Sequence, residues 1–284
     1  MSPKISTNSE QLIRWTREDS DGRHLTVIQG DACVALKSLK EESVDCVITS
    51  PPYFSQRDYG VDGQIGLEGR IDEYVTAILK VMEGVKKVLK KDGVLFLNLG
   101  DTYYSGKGRP HGNDRKHKSR RLGLRAVDAS GLGVPQKTAI GIPWRVALKM
   151  IEAGWTLRSP IVWHRPGSIP EPSAHDRPWR TYEHVFLFSV SRRYYFNRSG
   201  LPKGEEDVWA ISARPDRASG GISAPFPEAL VERCIECGCP ANGNVLDPFG
   251  GSGTVLRVAK KYGLSATCIE LNPNYCEHIV KELE

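Results

Sequence analysis

Long hydrophobic runs are missing from this 284-residue sequence. No apolar stretch approaches the roughly 20 residues of a membrane span. The opening stretch, MSPKISTNSEQLIRWTRED, holds no apolar h-region and does not read as a secretory signal, so a soluble, cytoplasmic chain is expected. Internal repeats and a G-x-G-x-x-G turn are also lacking. Cysteine is modest. Cys33, Cys46, Cys268 and Cys276 stand singly and read as small buried hydrophobes. Cys234, Cys237 and Cys239 cluster as C-x-x-C-x-C, but no fourth ligand stands at a usual zinc spacing, so no metal is expected. With 39% hydrophobic and 26% charged residues, whole-chain disorder is excluded and the length suffices for one large core.

Charge is present but unevenly placed. Residues 101–137 carry nine basic side chains (Lys107, Arg109, Arg115, Lys116, Lys118, Arg120, Arg121, Arg125 and Lys137) against three acidic ones, which exceeds the net charge of +5 for the whole chain. A Gly-containing basic segment of this kind is a candidate phosphate-contacting loop; the plain alternative is a solvated loop without a partner.

Hydrophobic periodicity predicts strands at Leu25–Gln29, Val44–Thr49, Val94–Leu99, Thr156–His164, His184–Val190, Asn244–Leu246 and Ser265–Ile269. Helices are predicted at Ala32–Leu39, Asp72–Leu89, Trp144–Ala153, Pro227–Cys237, Val255–Tyr262 and Tyr275–Leu283. Residues 1–23 read as a flexible lead-in, and 199–224 as loop. Strands alternating with helices define an α/β class with a mainly parallel sheet, in a single domain over 24–284.

The C-terminal unit runs strand, Gly-rich turn, helix, strand, acid. That is the recipe for a nucleoside cofactor on a Rossmann-like sheet, with glycines allowing close backbone approach and a helix start offering free N–H groups. Glu270, at the end of the second strand, can accept both ribose hydroxyls. Asp247, heading the turn, would repel a pyrophosphate and suits a cationic ligand group such as the α-amino group of S-adenosylmethionine. NAD is the rival, weakened by the missing G-x-G-x-x-G.

The turn Asp247-Pro248-Phe249-Gly250-Gly251-Ser252-Gly253-Thr254 resembles the cofactor motif of amino-group DNA methyltransferases, and Ser50-Pro51-Pro52-Tyr53 resembles their catalytic motif. The order, catalytic motif first, is similar to their permuted β class. Further blocks (G-V-L-F-L-N-L-G-D, I-P-W-R-V-A-L, W-H-R-P-G-S-I-P-E-P and A-P-F-P-E-A-L) extend the resemblance over residues 24–284. It implies a Rossmann-like, circularly permuted methyltransferase fold with a small DNA-recognition insertion, S-adenosylmethionine as cofactor and duplex DNA as partner. Likeness to modification methylases makes a cognate restriction endonuclease a candidate second partner, the enzyme acting as monomer or weak dimer. The strand ending at Gly30-Asp31 would follow the strand ending at Glu270, which sets Asp31 and Ala32 beside the cofactor with Glu270 and Asn272. Asp31 would contact the adenine amino group, though it also reads as a turn-capping residue. Phe226 would border the methionine end, or pack in the core.

The chemistry implied is methylation of an exocyclic base amine, whose lone pair is delocalised into the ring. Acceptors around its N–H groups free that lone pair, and Ser50 Oγ and the Pro51 carbonyl are the candidates. The base must leave the duplex, and Tyr53 can stack on it while Pro51 and Pro52 hold the groups rigidly. Ser at the first motif position points to cytosine N4; adenine N6 is the alternative, with an RNA methyltransferase or a catalytically silent DNA binder behind it. Carbon-5 methylation needs a thiolate, typically in Pro-Cys, and that dipeptide is absent. Residues 101–137 and the Pro/Arg-rich segment 165–182 are the candidate DNA-contacting insertions. Trp163, Trp179 and Trp209 read as core or support.

Overall fold

A computed structural model describes residues 4–7, 12–108, 124–167, 174–213 and 227–283. Among these residues, ten strands form one sheet in the order β1-β2-β3-β10-β9-β4-β5-β7-β6-β8. They are β1 (Lys4–Thr7), β2 (Ile13–Glu18), β3 (His24–Gln29), β4 (Val44–Thr49), β5 (Leu89–Leu99), β6 (Thr156–His164), β7 (Tyr182–Ser189), β8 (Val208–Ala210), β9 (Asn244–Asp247) and β10 (Ser265–Glu270). The central run β3-β10-β9-β4-β5 is parallel throughout, while β2 and β7 flank it antiparallel. Among the described residues, six α-helices cover the two faces: α1 (Ala32–Lys37), α2 (Ile71–Val88) and α3 (Ile142–Glu152) on one, α4 (Glu228–Gly238), α5 (Thr254–Lys261) and α6 (Pro273–Leu283) on the other.

The period of two along each strand decides which layer a side chain joins. In β5, Leu95, Leu97 and Leu99 meet α2 and α3 side chains such as Ile78, Met82 and Val146. Val94 and Phe96 face the other way, with Leu230 and Val231 of α4 and Val255 and Leu256 of α5. In β7, Phe186 and Phe188 go to the first layer and Val185 and Leu187 to the second. Burial on both faces explains why these strands read as continuous apolar runs.

Two expectations need correction. Residues 1–23 are not simply a lead-in: β1 and β2 extend the sheet edge, Trp15 opposite Val27 and Ile13 opposite Gln29. The alternating Ile13, Trp15 and Arg17 was masked by polar neighbours. The 199–224 loop contains β8, parallel to β6, whose Trp209 is fully buried; three residues are too few to show a period. Two further differences are smaller. Chain from α2 passes directly into β5 at Leu89, so Lys90–Gly93 belong to the strand. Trp163 is core as expected, but Trp179 is half exposed. Among the described residues, no helix is long and apolar enough to cross a membrane.

Permutation of the chain becomes a matter of adjacency. β3, near the N-terminus, pairs in parallel with β10, near the C-terminus, and Gly30 N donates to the Glu270 carbonyl at 2.9 Å. β4 pairs with β9, Val47 opposite Leu246. The strand ends at Thr49, Asp247, Glu270 and Gln29 thus arrive along one edge, where a parallel sheet opens its crevice.

Candidate active site

A cavity of about 300 Å³ opens at that edge. It is lined at one end by Gly30, Asp31, Ala32, the turn Asp247–Ser252, Thr254, Glu270 and Asn272, and at the other by Ser50, Pro51, Pro52 and Tyr53. The two motifs, nearly 200 positions apart, are joined by a direct bond: Thr49 Oγ1 donates to Asp247 Oδ1 at 2.7 Å.

Backbone geometry builds the first end. Phe249 N donates to Asp247 Oδ1 at 3.0 Å, folding the turn back on its first residue. Gly251 N donates to Glu270 Oε2 and Asn272 N to Glu270 Oε1, both at 2.7 Å, so this one carboxylate ties the turn to the end of β10. Gly250 N donates to the Ile269 carbonyl at 2.8 Å, and any Cβ at Gly250 would overlap Cys268 Sγ. Gly253 N donates to the Gly250 carbonyl, and the buried Ser252 and Thr254 share a hydroxyl contact at 3.1 Å where α5 begins. Asp31 caps α1, accepting from Val34 N at 3.1 Å, and also lines the cavity; capping and cavity-lining positions coincide in one residue. Asn272 Oδ1 accepts from Asn274 N at the start of α6.

Burial dominates the electrostatics here. Asp247 is nearly solvent-free, and its carboxyl is pushed up to about 7, against the pull of its bonds from Thr49 and Phe249. Burial also raises the Glu270 carboxyl, opposed by the N–H groups of Asn272 and Gly251. Among the described residues no cation pairs with Asp247. A buried carboxylate without a counter-ion favours a ligand that carries positive charge.

The second end depends on side chains from remote strands. Two prolines stop β4 and leave Ser50–Tyr53 on the following loop. Tyr74 Oη, from α2, donates to the Pro52 carbonyl at 3.0 Å. Tyr53 lies over Gly100, where a Cβ would stand 2.6 Å from Tyr53 Cε2, so the residue after β5 must be glycine for the ring to fit. The Tyr53 hydroxyl donates to Glu183 Oε2 at 2.6 Å, with Asn98 Oδ1 at 3.0 Å, and accepts from Ser50 Oγ at 3.3 Å. Arg165 Nη1 donates to Glu183 Oε1 at 2.8 Å. Burial and the adjacent Glu183 charge raise the phenol well above its ordinary value, so it stays protonated. Glu183 and Asn98 were not singled out from sequence, and Arg165 was read only as the start of a candidate DNA-contacting segment. The available signal was an acid inside the apolar strand YEHVFLFS.

Other candidates fall elsewhere. Phe226, Arg109, Arg115, Lys116, Lys118, Arg120 and Arg121 lie outside the described residues. Lys107 and Arg125 are exposed and do not line the cavity; Arg125 donates to the Ser105 carbonyl. In the Pro/Arg-rich segment, Arg177 stacks on Tyr103, Arg180 bonds the Asp101 carbonyl, and Lys137 pairs with Asp176 at 2.6 Å, so the two basic segments meet. Cys234, Cys237 and Cys239 are buried against Cys46, and burial pushes the thiols of Cys237 and Cys239 up to about 12. At that value they are protonated core groups.

A Rossmann-like sheet with a Gly-turn cavity at its carboxyl edge defines an enzyme that handles a nucleoside-bearing cofactor. The particular family follows from comparison: the DNA methylase family of N6 and N4 amino methyltransferases matches residues 44–282, and the chain belongs to it. Its cofactor is S-adenosylmethionine. The chain is 38% identical to the type II methyltransferase M.SmaI of Serratia marcescens, covering 96% of each. It is 39% identical to the type II methyltransferase M.Cfr9I of Citrobacter freundii, covering 91% of this chain and 87% of that one. Among solved structures, the cytosine-N4-specific PvuII DNA methyltransferase matches with a TM-score of 0.69 at 23% identity, over 89% of this chain and 84% of that one. A putative DNA modification methylase of Thermus thermophilus, complexed with S-adenosyl-L-methionine, matches at 0.57 and 24%, over 89% and 92%. Both likenesses concern the fold.

Proposed function

We propose that this DNA methyltransferase acts site-specifically on duplex DNA and methylates the N4 amine of a cytosine turned out of the helix. The observation that carries the proposal is the single cavity that joins the Asp247–Glu270 end to Ser50–Tyr53.

The residues fit the cofactor. Asp247, buried without a cation, suits the α-ammonium group. Each Glu270 oxygen keeps acceptor capacity beyond the N–H it already holds, enough for two ribose hydroxyls. Asp31 stands at the adenine end. When bound, S-adenosylmethionine supplies an electrophilic methyl on a sulfonium centre. The chain does the rest. Ser50 Oγ and the Pro51 carbonyl accept the N–H bonds of the target amine, which draws its lone pair out of conjugation. Tyr53 offers its ring as a stacking platform, fixed below by Gly100 and at the hydroxyl by Glu183. Holding amine and donor in line supplies much of the rate. Serine, neutral and able to rotate, tolerates the ring nitrogen acceptor beside a cytosine amine better than a carboxylate would.

The type II names of relatives that match nearly the full chain support a restriction-modification setting with a cognate endonuclease. The exposed Lys107 and Arg125, with the basic side chains between them in sequence, are the candidates for phosphate contact. The test is incubation with methyl-labelled S-adenosylmethionine and duplex DNA, followed by nucleoside analysis. Labelled N4-methylcytosine is expected. Labelled N6-methyladenine overturns the base assignment, and label only in RNA overturns the substrate.

A further inference from the structure

The target amine must shed a proton once it has gained a methyl group, and Ser50 cannot keep that proton. The cavity wall behind Ser50 supplies a way out. Ser50 Oγ donates to Tyr53 Oη at 3.3 Å, and Tyr53 Oη donates to Glu183 Oε2 at 2.6 Å, all three oxygens pointing the same way along one chain. Asn98 also touches Tyr53 Oη, but its amide cannot hold a proton; its Nδ2 instead donates to Glu183 Oε2 and to the His184 carbonyl. Arg165 fixes the other carboxylate oxygen at 2.8 Å, within a site where both side chains are largely covered. A mere packing role for Tyr53 would need the ring alone. Nothing in stacking on a base requires the hydroxyl to be clasped by a largely covered acid.

We infer that Ser50, Tyr53 and Glu183 form a proton relay that carries the departing amine proton from the target base to the Glu183 carboxylate. This rests on the amine-methylation reading above. The balance is simple. The cationic methylated amine gives a proton to Ser50 Oγ, Ser50 gives its own to Tyr53 Oη, and Tyr53 gives its own to Glu183 Oε2. The amine ends neutral, both hydroxyls are restored, and Glu183 ends as a neutral acid that returns its proton to solvent when the DNA leaves. Glu183 acts through Tyr53 and is a positioning and proton-accepting residue rather than one that touches the base. The groups facing it are Arg165 from the end of β6, Tyr53 from the loop after β4 and Asn98 from β5; its neighbour His184 stacks on Phe186 and meets Trp144 on the opposite face of the sheet.

The test is single-turnover methyl transfer to duplex DNA at saturating S-adenosylmethionine, from acid to neutral pH, for the unaltered enzyme, Tyr53→Phe, Glu183→Gln and Glu183→Asp. Tyr53→Phe keeps the ring and the fold but cuts the relay. The unaltered enzyme should slow at low pH, giving the rate profile an acidic limb. Tyr53→Phe and Glu183→Gln should each lose about 10²-fold in rate, the lower end of general acid–base contributions, and lose that acidic limb. Together they should cost no more than either alone, with Glu183→Asp recovering part of the rate and the limb. Tyr53→Phe with unaltered rate and pH profile overturns the relay. So does a slow Glu183→Gln that keeps the acidic limb, since that marks a structural defect. No labelled DNA from the unaltered enzyme overturns the methylation reading itself, and the relay with it.

Discussion

The two ends of the cavity are built by different means. The Asp247–Glu270 end is made from backbone: a tight turn, three N–H groups folded onto two carboxylates, and a glycine pressed against Cys268. The Ser50–Tyr53 end is made from side chains carried in from β5, from β7 and from Arg165 just past β6, at positions 45 to 130 residues away in sequence. A backbone-built site holds its shape through local sequence; a side-chain-built site depends on the whole sheet being registered correctly. That contrast predicts separable defects: changes at the first end should act on cofactor affinity, changes at the second on rate.

The largest effect should come from the second end. On the proposed chemistry Ser50→Ala removes an acceptor for the reacting amine and should lower single-turnover transfer by about 10²- to 10³-fold. A Ser50→Ala rate within a few-fold of normal would leave the motif without its assigned chemistry. Next is Glu270→Ala at the first end. Losing charge-assisted bonds worth roughly 1.5–3 kcal/mol should raise the cofactor Kd by about 10- to 100-fold, with transfer at saturating cofactor much less affected.

The pH dependence is smaller and has a definite sign. The Asp247 carboxyl, raised from 3.8 to about 7, binds its proton more tightly folded than unfolded. Its contribution to the stability of the cofactor-free protein is full below pH 3.8 and is lost as pH rises through about 7. The ionised form is the one that attracts an ammonium group, so cofactor affinity should strengthen about tenfold per pH unit below 7 and level off above it. Calorimetric titrations between pH 5.5 and 8 would show this, and a flat profile would mean that Asp247 does not meet a cation. The smallest expected change is Gly250→Ala. Forcing a Cβ against Cys268 should cost about 1–3 kcal/mol, a Tm lower by roughly 3–10 °C in a thermal melt, with loss of cofactor binding ahead of any loss at the other end.

Legibility in the sequence follows the same division. The turn at 247–254 and the acid at Glu270 are contiguous or one strand apart, and their roles follow from residue type and spacing. The end of β3 was placed beside β10 through the resemblance to permuted methyltransferases, whereas the pairing of β4 with β9 emerged only in the structure. That Glu183, Asn98 and Arg165 gather around Tyr53 was invisible for a physical reason. Each lies in or beside a strand whose apolar pattern says burial, and no local rule tells which buried polar side chain faces which loop. The two N-terminal strands were hidden differently, since a polar edge strand with one sheltered face resembles a loop in composition. Lys107 and Arg125 show the limit of charge counting: a basic segment is visible in sequence, but its distance from the cavity is not.

Cofactor titration into the Ser50→Ala enzyme tests the division of labour most directly. An S-adenosylmethionine Kd equal to that of the unaltered enzyme, in a protein that no longer transfers methyl groups, is the result this account predicts. A Kd raised as far as in Glu270→Ala would contradict it, because the two ends of the cavity would then be one undivided site.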